Sequence, residues 1–186
     1  MTMDEDYKEI KVDREKTVYV FDNVFDLAWR SSVVKTAQNS LFKIGFNDTE
    51  ELPYSEFRNL HSNYSLEEFQ HLKFVENINN VNLLFKIANL TPSRVTLNLS
   101  QPGDVYFAHT HPGLSLLYYV NTQWKEEWAG ETLFFSENLS EVLFTSVYKP
   151  GRVILFDGSI PHTIRGPSRI APGYRFTLAI FYKLNK

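Results

Sequence analysis

Apolar residues in the first half of the chain return at helical spacing, whereas those in the second half alternate or form short unbroken runs. Phe25, Trp29, Val33 and Ala37 recur every four residues, which puts them on one face of a helix over "LAWRSSVVKTAQ". A short strand in "TVYVFDNVF" leads into it, with Asp22, Asn23 and Asp26 as candidate caps. Residues 40–64 show no period and contain "PYSEF" and "NLHSNY", the texture of a long polar loop. "SLEEFQHLKFVENI" opens with Ser65 and Glu68 at capping-box spacing, and Leu66, Phe69, Phe74 and Ile78 keep roughly helical order. A further helical piece is expected over "VNLLFKIANL".

From Thr91 the period shortens. "RVTLNLS", "VYFAHTH", "LSLLYYVN", "ETLFF", "VLFTSVY", "GRVILF" and "YRFTLAIFYKL" are rich in Val, Leu, Phe, Tyr and Thr and are separated by Pro, Gly, Asn or Asp turns. Helices followed by closely spaced strands imply an α+β, mainly β chain: an antiparallel jelly roll or barrel buttressed by N-terminal helices. With no linker, repeat or low-complexity tract, residues 1–186 read as a single domain, with helical support over about 1–90 and the β core over about 91–186.

Composition narrows the chemistry. A hydrophobic share of 43%, with 15 Phe and 10 Tyr, supplies a β-rich core. The absence of cysteine excludes disulfides, thiolate metal sites and a cysteine nucleophile together. A net charge of −3 gives no long-range attraction to nucleic acid or anionic lipid, and no window approaches a membrane span, so neither partner is expected and a soluble, cytoplasmic protein is the default.

The polar positions worth singling out are histidines. In a strand His109 and His111 would share a face with Val105 and Phe107, so one metal ion could take both imidazoles. His162 follows an apolar strand and a glycine-containing turn, a suitable position for a third ligand. His61 and His71 fall in the loop and helix regions and read as polar surface residues. Imidazole suits zinc, iron or manganese alike. On the last strand, alternation groups Arg175, Thr177, Ala179 and Phe181 on one side, and on "LSLLYYVN" it groups Ser115, Leu117, Tyr119 and Asn121. Arg175, with Thr177 and the Tyr119 phenol, could therefore hold a carboxylate inside a barrel.

Taken in order, "HTH", "LLYYVN", "QWKEEWAGETLFF", "YKPGRVILFDGSIPHTIRGPSR" and "GYRFTLAIFYK" resemble the prolyl-4-hydroxylase-like branch of the 2-oxoglutarate and Fe(II)-dependent dioxygenases, over roughly residues 93 to 184. The resemblance implies a double-stranded β-helix with iron at His109 and His162 and with the far carboxylate of 2-oxoglutarate on Arg175, helped by Tyr119 and Thr177. It also implies O2 as oxidant, succinate and CO2 as products, hydroxylation of a C–H bond in a small-molecule or peptide substrate, and ascorbate as an accessory reductant. One position departs from the pattern: where the family has Asp, this chain has His111. Either His111 ligates, giving a three-His centre, or water fills that place; ligation by His111 is the adopted reading. Asp104 and Asp157 are poor replacements by strand parity and spacing.

Two rivals remain. "GDVYFAHTH" fits the Gly-x5-His-x-His spacing of cupin-type metal dioxygenases, although the glutamate expected after the second His is missing. The other rival is a catalytically inactive jelly roll that binds a ligand. Trp124, Trp128, Arg165 and Arg169 are candidates for the mouth of the site, while the prime substrate and the oligomeric state are not encoded in any motif.

Overall fold

The computed structural model describes residues 6–44, 60–104 and 106–183. Eleven strands and three α-helices follow one another as β1 (Tyr7–Lys11), β2 (Thr17–Phe21), α1 (Leu27–Asn39), β3 (Lys43–Ile44), β4 (Leu60–Tyr64), α2 (Leu66–His71), α3 (Val81–Ile87), β5 (Pro92–Ser100), β6 (Leu114–Tyr119), β7 (Thr132–Phe135), β8 (Val142–Ser146), β9 (Val153–Asp157), β10 (His162–Ile164) and β11 (Arg175–Tyr182). Eight form an antiparallel sheet in the order β1-β2-β9-β6-β11-β5-β4-β3, and three form a smaller one in the order β10-β7-β8.

Alternation along the central strands sorts the core into two layers. Leu116, Tyr118, Val120, Phe176, Leu178, Ile180 and Tyr182 point to one face of the large sheet and share a cluster with Trp29, Val33, Ala37, Phe74, Leu83 and Ile87. The Trp29 ring lies 4.0 Å from Phe25 and 5.6 Å from Tyr118, and its indole N–H donates to the Leu72 carbonyl. The residues in between, Leu117, Tyr119 and Ala179, join Val20, Ile154, Phe156 and Phe134 in the second cluster, between the two sheets. That inner face carries the functional side chains.

Local signals in the helical regions behave as their chemistry requires. Among the three candidates, Asp26 caps α1, accepting from the Trp29 N–H at 2.7 Å. Ser65 and Glu68 form the reciprocal capping box of α2. Beyond His71 the chain turns through a short 3-10 segment at Val75–Asn77, so the run to Ile78 is not one helix. Phe69, Phe74 and Ile78 are nevertheless buried, while Leu66 is exposed.

Three readings need correction. The first ninety residues contribute four strands to the large sheet as well as the helices. Within the expected loop at 40–64, Lys43–Ile44 and Leu60–Tyr64 are paired strands, and "PYSEF" lies outside the described residues. His61, on β4, is therefore buried rather than on the surface, while His71 is exposed as expected. Finally, "VYFAHTH" is not a regular strand: Val105 is outside the described residues, and His109 makes only an isolated bridge to His162.

Candidate metal centre

Backbone pairing, rather than strand alternation, brings the three histidines together. His109 and His162 exchange both N–H···O=C hydrogen bonds at 3.0 Å. The His111 N–H then donates to the Gly158 carbonyl at 2.7 Å, and the Gly158 N–H donates to Gly113 at 2.8 Å. This closes the "HTHPG" turn against the turn that precedes His162. Gly158 is required there, since a Cβ at that position would stand 2.6 Å from the His111 carbonyl oxygen.

The result is a cluster in which one nitrogen each from His109, His111 and His162 lies within 4.8 Å of the other two. His109 Nδ1 is 3.0 Å from the Phe107 carbonyl, and His162 Nδ1 is 2.7 Å from the Ile160 carbonyl. A ring N–H donated to each carbonyl leaves Nε2 of both rings as the free lone pair, the orientation typical of metal-ligating histidine. The His111 ring rests edge-on against Phe181 at 4.8 Å, and His162 rests against Phe156 at 4.7 Å. The Arg94 guanidinium stacks over Phe181 at 3.9 Å. No carboxylate joins this cluster among the described residues. Asp157 accepts from the Ser159 N–H, and Asp104 accepts from the Gln101 N–H and the Tyr106 hydroxyl, so both are engaged in their own turns.

Burial, reinforced by the His109 and Arg94 charges, pushes the His111 imidazole down to about 3. Burial likewise holds His162 well below the usual imidazole range. Both rings are thus kept in the neutral, ligating form. In the unfolded chain they titrate near 6.5, so below that pH the unfolded state takes up protons that the fold refuses. Stability of the metal-free protein should therefore fall as pH drops through about 6.5, by up to about 1.4 kcal/mol per pH unit for each histidine, and should not suffer above it. Urea unfolding of the metal-free protein between about pH 7 and about pH 5 should show this decline, and His111→Gln should make it shallower. An unchanged slope in that variant would mean that His111 protonates freely in the fold.

A second polar set lies on the same inner face. Arg175 is completely buried at the start of β11. Its Nε donates to the Gly130 carbonyl at 2.8 Å and its Nη1 donates to Thr177 Oγ1, while Nη2 has no partner among the described residues. Thr177 stands opposite Tyr119 in the β11–β6 register. The Tyr119 hydroxyl donates to Thr132 Oγ1 at 2.8 Å, and the nearby Ser146 hydroxyl has no partner among the described residues. The rings of Tyr119 and Tyr148 stack at 4.5 Å, with the guanidinium carbon 4.8 Å from the Tyr148 centroid. Two buried donors without partners beside a fixed cation fit a carboxylate.

All six site residues proposed from sequence therefore face the space between the sheets, in two groups: His109, His111 and His162, and Tyr119, Arg175 and Thr177. Four contributors escaped that reading. Gly130, Thr132, Ser146 and Tyr148 come from the small sheet and its flanking turns, and nothing in their spacing announces which strand they oppose. Gly130 alone left a trace, in the "AGE" turn: a Cβ there would meet Arg175 Cδ at 3.1 Å. Trp124 packs against Tyr148 at 4.8 Å and donates its N–H to Ala129, beside Arg175 rather than beside the histidines. Trp128 stands perpendicular to it. Arg165 and Arg169 are exposed, with Arg165 4.0 Å from Glu131.

No family model matches the sequence, and no curated protein matches it either. Solved structures do. A prolyl-4-hydroxylase from Pseudomonas putida superposes with a TM-score of 0.63 at 13% identity, over 90% of this chain and 92% of that one. A prolyl hydroxylase from Trichoplax adhaerens, in complex with a hypoxia inducible factor peptide fragment, gives 0.64 at 14% identity, over 89% and 83%. HygX from Streptomyces hygroscopicus, with nickel and 2-oxoglutarate bound, gives 0.62 at 12% identity, over 89% and 82%. The antiparallel architecture built here by β1–β11 is thus the jelly-roll fold shared by prolyl-4-hydroxylases and related 2-oxoglutarate oxygenases.

Proposed function

We propose that the chain is a 2-oxoglutarate- and Fe(II)-dependent oxygenase that hydroxylates a C–H bond of a small-molecule or peptide substrate. The observation that carries this reading is the buried Arg175 guanidinium, with Nη2 unpartnered among the described residues, on the same inner sheet face as the three-imidazole cluster. An anion held at one end of that face and a metal at the other match a co-substrate with two unlike ends. The neighbours add support, since the HygX structure contains nickel and 2-oxoglutarate and the Pseudomonas and Trichoplax proteins are prolyl hydroxylases.

Iron with 2-oxoglutarate and O2 supplies the oxidising chemistry, releasing succinate and CO2. The protein's own part is positional. His109 and His162 present Nε2 because their Nδ1–H groups are held by backbone carbonyls, and His111 completes the set. Arg175 is locked by Gly130 and Thr177 before any ligand arrives, so little side-chain entropy is lost on binding a carboxylate. Tyr119 would turn its single phenolic O–H from Thr132 to the same anion. Leu117, Ile154, Phe134 and Phe156 wall the space between the sheets and exclude water. In this reading α1–α3 buttress the opposite face of the double-stranded β-helix, and the enzyme works in the cytoplasm. No described helix is long and apolar enough to cross a membrane.

Incubation with Fe(II), 2-oxoglutarate, O2 and ascorbate should release succinate, and a chelator should stop it. If the iron-loaded protein neither binds 2-oxoglutarate nor forms succinate, the reading is wrong.

A further inference from the structure

Between the two aromatic rings that support the histidines stands a small polar residue, Ser115. Ser115 is opposite Phe181 of β11 in one register and opposite Phe156 of β9 in the other, so all three side chains share the inner face. Phe181 touches His111 and Phe156 touches His162. Ser115 thus sits on the floor of the cluster, four residues after His111, just past the turn at Gly113. It is only 1% exposed, and its hydroxyl has no hydrogen-bond partner among the described residues.

That combination is costly. β6 is paired on both sides, by β9 and β11, so its neighbours' backbone groups are committed to the ladder, and the next inner-face residue is Leu117. A buried hydroxyl left in this state destabilises the fold, and alanine would fill the same space without the penalty. Unpartnered buried polar atoms call for an explanation, and the others around this space, Arg175 Nη2, Ser100 Oγ opposite Arg175 in the β11–β5 register, and Ser146 Oγ, lie on the anion side. Three imidazoles, once ligating, offer no hydrogen bond to a neighbouring ligand on the metal, a service that a carboxylate oxygen could provide.

We propose that Ser115 is a positioning residue of the metal centre, its hydroxyl donating a hydrogen bond to the oxygen ligand, water or carboxylate, that completes coordination beside the three imidazoles. The proposal rests on the reading of His109, His111 and His162 as a metal site. It assigns the polar neighbour that the all-imidazole set lacks to a residue on β6.

Co(II), whose visible absorption reports coordination directly, is the probe. Wild type, Ser115→Ala and Ser115→Thr are titrated with Co(II), and their melting temperatures are measured with and without the metal. Ser115→Ala should melt at or above the wild-type temperature when metal-free, yet bind Co(II) about tenfold more weakly and with an altered absorption band. Ser115→Thr, which keeps the hydroxyl on a β-compatible side chain, should restore affinity and band shape. If Ser115→Ala lowers the metal-free melting temperature while leaving Co(II) affinity and spectrum unchanged, Ser115 is merely structural and the proposal fails alone. If wild type itself does not bind Co(II), the metal centre falls, and the role of Ser115 with it.

Discussion

Replacing His111 with alanine should lower affinity for Fe(II) by about 100-fold or more, because losses in the outer shell alone typically cost about 10- to 100-fold. His111 is the residue on which the character of the centre turns. Its ring completes the cluster with His109 and His162, it is buried against Phe181, and it stays neutral to about pH 3. With three neutral imidazoles the full charge of a dipositive metal is left towards incoming anions, so binding of 2-oxoglutarate should not suffer relative to a site with a carboxylate. Oxidising power should suffer, since a carboxylate donor would place negative charge beside the metal. His111→Asp should therefore retain iron and 2-oxoglutarate binding, with succinate formation equal to or above wild type. Iron titration of the two variants decides this: undiminished affinity in His111→Ala would mean that "HTHPG" gives the metal only His109.

The second large effect is expected at Arg175. A guanidinium about 4 Å from a carboxylate interacts by roughly 4 kcal/mol at an effective dielectric of 20, before desolvation is subtracted. Desolvation is already met in this fold, because Arg175 is buried and held by Gly130 and Thr177 whether or not a ligand is present. Arg175→Ala should raise the dissociation constant of 2-oxoglutarate at least about tenfold, the equivalent of about 1.4 kcal/mol. Arg175→Lys keeps the charge but loses the planar fork, and should fall between. Calorimetry on the metal-loaded proteins measures both, with circular dichroism confirming the fold. Equal affinity in Arg175→Ala would move the anion site elsewhere, with Arg165 the next candidate.

How far the sequence carries depends on whether a signal is local. The four-residue period of Phe25, Trp29, Val33 and Ala37 depends on one element only, and those residues are buried as their spacing demands. Alternation on β6 and β11 likewise separates Leu116, Tyr118 and Leu178 from Leu117, Tyr119 and Ala179, and the two sets occupy different core layers. β1 gave no such signal: Tyr7–Lys11 is a charged edge strand, where lysine and glutamate are tolerated because one side faces solvent. In β4, "LHSNY", the polar His61 and Asn63 stand opposite the polar Asn98 and Thr96, with Thr96 donating to Asn63, while Leu60 and Tyr64 stand opposite Leu99 and Val95, a match that is visible only once β5 is alongside. The histidine pair is recognisable in the sequence, but strand alternation is not what joins it to His162. His109 and His111 converge through backbone pairing with His162 and Gly158, a contact between distant segments that no spacing rule encodes. The same limit hid Gly130, Thr132, Ser146 and Tyr148, whose relation to Arg175 exists only once the small sheet closes over the large one.

The most direct measurement is a crystal structure of the protein grown anaerobically with redox-inert Mn(II) and 2-oxoglutarate. One metal ion should be bound by an imidazole nitrogen from each of His109, His111 and His162, with the far carboxylate of 2-oxoglutarate within about 3 Å of Arg175 Nη2. A metal held by only two of these histidines with the His111 ring turned away, or 2-oxoglutarate bound away from Arg175, would contradict the account.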